Sequence, residues 1–239
     1  MLKTNIVLFK NLNIANNIKN LLFPEICLSC NNFLISGEKT ICTACRHEIP
    51  LTNYSKCKDN PTEKIFFGRI KVENASSFVW YRKNSIVQQI IHNLKYKGHQ
   101  EIGTFFGNWF GSELNDSLFY KNIDIVLPVP MHLKKLKKRK YNQVTEFGKC
   151  IANQLNASFN DDILIQEIET ATQTKKNRES RWEEKSKAYK ISNGANIENK
   201  HLLLVDDVIT TGSTIEACIK TLKNYQNCKV SVVTIAITA

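Results

Sequence analysis

The run His201-Leu202-Leu203-Leu204-Val205-Asp206-Asp207-Val208-Ile209-Thr210-Thr211-Gly212-Ser213-Thr214 constrains this chain more than any other stretch. Leu202 to Val205 is continuously apolar, as a parallel strand buried on both faces must be. Asp206 and Asp207 stand together at the expected carboxyl end of that strand. A loop with four hydroxyl residues and one glycine follows, and then Ile215, Cys218, Ile219 and Leu222 recur at helical spacing. The order strand, acid pair, hydroxyl-rich loop, helix predicts an α/β fold with a ligand site at the turn.

The chemistry of that turn is specific. Successive backbone N–H groups leading into a helix make an anion cradle, aided by the helix dipole. Thr210, Thr211, Ser213 and Thr214 add hydroxyl donors, and Gly212 lets the backbone approach a ligand closely. Carboxylates suit sugar hydroxyls or a hydrated divalent cation. A ligand with a phosphate and a hydroxylated sugar satisfies both halves. The stretch lacks the Gly-Lys-Ser/Thr of a P-loop and the Gly-x-Gly-x-x-Gly of a dinucleotide fold. The plainer alternative, a buried strand with a capped helix, gives no reason for two adjacent acids and four hydroxyls. Val205 to Thr214 closely resembles the phosphoribosyl-pyrophosphate (PRPP) motif of type I phosphoribosyltransferases. That resemblance implies that Asp206 and Asp207 are the catalytic acids holding the ribose hydroxyls. It implies that Thr210, Thr211, Gly212, Ser213 and Thr214 hold the 5′-phosphate, with Mg²⁺ accompanying PRPP.

A second constellation lies near the N-terminus. Cys27-Leu28-Ser29-Cys30 and Cys42-Thr43-Ala44-Cys45 are two Cys-x-x-Cys knuckles separated by eleven residues. Paired knuckles predict a structural zinc ribbon with Cys27, Cys30, Cys42 and Cys45 as ligands and no open coordination position. Two disulfides or a redox pair are the alternatives. The first is disfavoured in a reducing compartment, and the second has no use for a doubled motif. Cys57, Cys150, Cys218 and Cys228 are scattered and read as free thiols.

Composition sets outer bounds. The 239 residues suit one domain of moderate size with a small module. The boundary falls in the Pro- and Asn-containing stretch 50–64, dividing the chain into 1–59 and 60–239. Lys and Arg number 33 against 22 Asp and Glu, a net charge of +11 that favours polyanionic or phosphorylated partners. No apolar run approaches a membrane span, and Ile6 to Phe9 is too short for a signal-peptide core, so a cytoplasmic location is expected.

Along the chain, residues 1–22 read as an amphipathic helix and 65–81 as a strand pair. Residues 85–97 and 100–119 read as helices, the second with an aromatic core stripe. Residues 123–130 read as a buried strand ending at Pro128-Val129-Pro130. A basic loop follows, with Lys134, Lys135, Lys137, Lys138, Arg139 and Lys140, and then a helix opens after Tyr141-Asn142-Gln143. This loop is expected to serve partly the ligand crevice and partly solvent or nucleic acid. Lys95 and Lys97 suit either a phosphate at the site or compensation of a helix dipole. Residues 163–168 read as a strand, 170–187 as a lid, 188–191 as extended chain and 229–237 as a last strand.

Taken together, several features resemble the ComF family of competence-associated, phosphoribosyltransferase-like proteins. They are the four-cysteine module, Leu94-Lys95-Tyr96-Lys97-Gly98, Pro128-Val129-Pro130, Arg139 with Tyr141-Asn142-Gln143, Thr172-Gln173 to Arg181, and the PRPP motif, in this order. The resemblance implies a type I phosphoribosyltransferase fold, a mostly parallel sheet flanked by helices with a zinc-ribbon head. It also implies handling of incoming single-stranded DNA during natural transformation, with competence or DNA-processing proteins as partners. It makes Lys95, Lys97, Lys134, Lys135, Arg139, Gln143, Gln173 and Arg181 candidates for a basic pyrophosphate region. In this fold class the acceptor is recognised by a variable hood, expected here within 65–100. Two departures stand out. The family often has Gly-Phe where this chain has Lys140-Tyr141, which points to a different turn, and Glu184 replaces a frequent Asn after Arg181. Three functional readings remain: a DNA-uptake factor using the pocket for binding or regulation, a transferase of purine or related metabolism, and an adaptor with a vestigial pocket.

Overall fold

In the computed structural model, which describes residues 24–167 and 188–239, the apolar run Leu202–Val205 lies within a five-stranded parallel sheet. The strands are β1 (Ala75–Tyr81), β2 (Ile125–Pro128), β3 (Ser158–Phe159), β4 (Leu164–Gln166), β5 (Tyr189–Ile191), β6 (His201–Ile209) and β7 (Lys229–Thr238). The main sheet has the order β1-β7-β6-β2-β3, and each neighbouring pair is parallel. β4 and β5 form a separate antiparallel pair. The helices are α1 (Thr43–His47), α2 (Pro61–Lys64), α3 (Ile86–Tyr96), α4 (Glu101–Asp116), α5 (Leu133–Arg139), α6 (Thr145–Gln154) and α7 (Ser213–Leu222).

Period-two alternation on β6 splits the core into two layers. Leu203 and Val205 belong to the layer built by α3, α4 and α6, whereas Leu202 and Leu204 face the layer of α7 and β4–β5. All four side chains are fully buried. In α4 the aromatic stripe is core, with Phe106 and Phe110 buried and Phe78 stacked 4.9 Å from Phe110. Gly107 lets α4 meet α6, since a Cβ there would lie 2.7 Å from the Phe147 carbonyl. α3 is capped by Ser85, whose hydroxyl accepts from the Gln88 N–H, and the chain turns away at Gly98 with φ 82°.

The cysteine module is fused to this core. Cys27, Ile41, Cys45 and Ile49 share a cluster with Phe78 and Val79. Leu51 bridges Val79 in antiparallel fashion, with the Thr52 N–H donating to the Phe78 carbonyl at 3.0 Å. The stretch around 50–52 thereby covers β1, which would otherwise be an open edge.

Several expectations change. Residues 65–72 form a turn and not a strand, so only β1 exists where a strand pair was expected. β6 continues through Asp206 and Asp207 to Ile209, which places the acid pair within the strand and not beyond it. The basic run is a helix, because Leu133 and Leu136 sit among residues of good helix propensity. Lys140 takes φ 68°, the left-handed conformation a glycine adopts freely, so the turn before α6 keeps a glycine-type geometry. The 1–22 helix and the 170–187 lid, with Gln173, Arg181 and Glu184, lie outside the described residues. Among the described residues no helix is long and apolar enough to cross a membrane.

Candidate functional site

The chain leaves β2 toward β3 on one side and leaves β6 toward β7 on the other. Open α/β sheets bind ligands at such a switch point, outside the carboxyl ends of the strands. Here the two diverging connections carry α5 after β2 and the Thr210–Thr214 loop after β6.

Two cavities meet there. A small one of about 50 Å³ is lined by Asp206 and residues Val208 to Ile215, so all five residues of the Thr210–Thr214 loop border it. A larger one of about 330 Å³ has Lys95, Lys135, Arg139, Gln143, Asp207 and Thr214 on its wall. That volume falls at the small end of the range for ligand pockets. Lys97 and Lys134 are exposed and do not line either cavity. Of the expected hood at 65–100, only Lys95 and Tyr96 reach the larger cavity, and Gln166 and Tyr189 from β4–β5 complete it.

The acid pair is asymmetric. Asp207 is buried, with the Lys95 ammonium 2.9 Å from Oδ1 and the Gln143 amide donating to Oδ2 at 2.6 Å. Arg139 donates in turn to the Gln143 side-chain carbonyl. Asp206 accepts the Asp207 backbone N–H at 2.8 Å. Burial first, then repulsion by Asp207, pushes the Asp206 carboxyl up to about 8, against smaller opposing effects of that N–H and Lys95. Lys95 thus supplies the counter-charge of one acid, while the other holds a proton near neutrality.

This has a consequence for stability. Asp206 titrates far above its ordinary 3.8 in the folded chain, so the folded state binds more protons than the unfolded state between those values. Stability is greatest below the unfolded value and falls as pH rises toward about 8. Asp206→Asn should be more stable than the parent at about pH 8 by a margin that shrinks toward about pH 5. Thermal melts of the two proteins across that range check it; parallel curves would contradict it.

The Thr210–Thr214 loop is held from behind by residues that no local sequence pattern marks. Arg69 donates to the Thr211 carbonyl at 2.6 Å and pairs with buried Glu216 in the first turn of α7. Lys220 lies 3.0 Å from the other Glu216 oxygen. Gly212 opens α7 at φ 71°, and its missing Cβ leaves room for Ile65 and Phe66. Glu216 falls on the apolar side with Ile219 and Leu222, an acid that requires a cation; nothing local names Arg69 as that cation.

The four cysteines fit zinc. The Sγ atoms of Cys27, Cys30, Cys42 and Cys45 all lie within 4.8 Å of one another, and Cys30 and Cys42 are 3.8 Å apart. A tetrahedron with zinc–sulfur bonds of about 2.3 Å has edges of about 3.8 Å. Backbone N–H groups of Ser29 and Cys42 point at the Cys27 sulfur, at 3.4 and 3.3 Å, as knuckle amides do toward thiolates. Cys57 is exposed and stands outside this cluster.

Comparison with known proteins agrees with both modules. Residues 145–238 match the phosphoribosyl transferase domain family and residues 18–62 the double zinc ribbon domain. The chain is 23% identical to the DNA utilization protein YhgH of Escherichia coli (strain K12) over 129 residues, 53% of this chain and 56% of that protein. The Salmonella typhimurium (strain LT2) protein of the same name is 24% identical over an equal span. The matched part therefore spans about half the length of these relatives. Among solved structures, a hypoxanthine phosphoribosyltransferase from Staphylococcus aureus is similar at TM-score 0.36 and 16% identity, covering 64% of this chain and 71% of that one. The adenine phosphoribosyltransferase of Saccharomyces cerevisiae has TM-score 0.36 and 15% identity, covering 62% and 72%. A zinc ribbon followed by a phosphoribosyl transferase domain, in that order, is consistent with a ComF-like protein.

Proposed function

We propose that this chain binds PRPP, or a closely related phosphorylated ribose, and single-stranded DNA, and acts in the cytoplasm on incoming DNA during natural transformation. The observation that carries the reading is the shared cavity, where a phosphate cradle and acid pair open onto a basic helix. The name of the relatives, DNA utilization protein, supports the nucleic-acid half. In this reading residues 1–59 form the zinc head, a candidate dock for DNA-processing proteins, and 60–239 the ligand-binding domain.

The cradle N–H groups and hydroxyls hold the 5′-phosphate, and the acid pair orients the sugar hydroxyls. Mg²⁺ arriving with PRPP supplies charge neutralisation at the pyrophosphate. The acid pair leaves it room, because Asp206 keeps one oxygen that no described group occupies, and hydrated Mg²⁺ favours substrate oxygens and water. Lys135 and Arg139 add positive charge on the cavity wall. A second reading, transfer of the phosphoribosyl group to a nitrogen acceptor, is favoured by the complete acid pair and loop. Asp206, once its raised carboxyl has lost its proton, would then steady positive charge developing at the ribose C1 as pyrophosphate departs.

Fluorescence anisotropy with a labelled single strand tests the nucleic-acid half. Affinity should fall steeply with salt, by roughly 0.7 logarithmic units per tenfold rise in salt for each neutralised phosphate. Lys135→Gln with Lys137→Gln and Lys138→Gln should flatten that slope. No binding, or binding indifferent to salt, would sink the DNA reading.

A further inference from the structure

The two cavities share Asp206 and Thr214. A ligand with its phosphate in the Thr210–Thr214 loop and its sugar at the acid pair therefore extends into the larger space. That space is more than a slot for one base. Tyr96 lines it, yet its side chain is 68% exposed. His92, one turn earlier on α3, lies 5.1 Å from the Tyr96 ring, and the Arg139 guanidinium sits 5.2 Å from its centroid. Beyond the rim the exposed face of α5 continues with Lys137 and Lys138. An exposed aromatic ring beside cations is a stacking platform for a base, and a basic strip beside it tracks a phosphate backbone.

The acid pair admits such a ligand, although a deoxyribose esterified at its 3′ oxygen brings it no free hydroxyl. Two bare carboxylates would repel the phosphodiester that continues from the 3′ oxygen of a strand's first sugar. Here Lys95 neutralises Asp207, and Gln143 caps the other oxygen of that carboxylate. Building on the reading of the preceding section, we propose that this site takes the 5′-phosphorylated end of a single DNA strand. The terminal phosphate sits in the Thr210–Thr214 loop, the first sugar at the acid pair, the first base on Tyr96, and the following phosphates along α5.

The test uses three labelled oligodeoxythymidines of about twelve nucleotides, within the usual span of single-strand sites. One carries a 5′-phosphate, one a 3′-phosphate of equal charge, and one neither. With the zinc-loaded full chain, the 5′-phosphorylated strand should bind about tenfold more tightly than its 3′ isomer, as expected for charge-assisted hydrogen bonds to a terminal phosphate. Excess ribose 5-phosphate should remove that preference and leave the residual binding. Tyr96→Ala should weaken all three strands while the preference persists. Equal binding of the two isomers would overturn the proposal and leave general single-strand binding standing. Absence of binding by any strand would overturn this proposal together with the DNA reading, and PRPP binding would be untouched.

Discussion

Removing zinc from Cys27, Cys30, Cys42 and Cys45 should lower the melting temperature of the whole chain and not only unravel its head. Structural zinc sites contribute an apparent free energy on the order of 10 kcal/mol to small modules, as much as many domains have in total. In this chain the module is not a detached bead. Ile41, Cys45 and Ile49 pack in one cluster with Phe78 and Val79. The buried Asn93 amide of α3 donates to the Leu28 carbonyl at 2.7 Å, and Leu51 covers β1. Loss of the ribbon exposes that apolar surface, orphans the Asn93 amide and weakens the cover on a strand edge. A cost of about 2–3 kcal/mol to the larger domain would shift its transition down by roughly 5–10 °C. Scanning calorimetry of zinc-loaded, chelator-treated and Cys45→Ser protein measures it, with metal content assayed in each. A main transition unmoved after proven zinc loss would show the two modules to be energetically separate.

Gly212→Val is the second large effect. The residue sits at φ 71°, where a side chain costs roughly 1–2 kcal/mol. Its Cβ would lie 2.6 Å from Ile65 Cγ2 and 3.3 Å from Phe66 Cε1, contacts that force the loop off the 61–70 turn. Overpacking of this kind costs about 1–3 kcal/mol. The larger consequence is local, since displaced loop amides no longer converge on a phosphate. Affinity for PRPP should drop by about a hundredfold, which corresponds to roughly 2.7 kcal/mol. Titration of the folded variant, with its melt recorded alongside, separates the two effects. Full affinity in a folded Gly212→Val protein would mean that the loop is not the phosphate site.

Much of this site was legible because its chemistry is local in sequence. Asp206 to Thr214 carries acids, donors and the left-handed glycine within nine consecutive residues, and the four cysteines announce themselves by spacing. What stayed hidden is what the topology assembles. Lys95 meets Asp207 across more than a hundred residues, and Arg69 reaches Thr211 and Glu216 over a comparable gap. Local pattern gives no partner for such groups. The basic run reads as a loop because its charge density masks Leu133 and Leu136. Residues 65–72 read as a strand because Phe66, Ile70 and Val72 are apolar, yet Phe66 is buried from a turn. Tyr189 is one of three residues in a short strand, too little pattern to tie it to a ligand cavity.

The central claim is that the pocket is a working phosphoribosyl site, and calorimetric titration of PRPP with Mg²⁺ into zinc-loaded protein tests it most directly. The companion variant is Asp206→Asn with Asp207→Asn, checked for folding by its melt. The account predicts saturable one-site binding by the parent and its loss in the folded variant. No heat from the parent, or equal binding by both proteins, would contradict it and leave the zinc head and the basic helix as the functional surfaces.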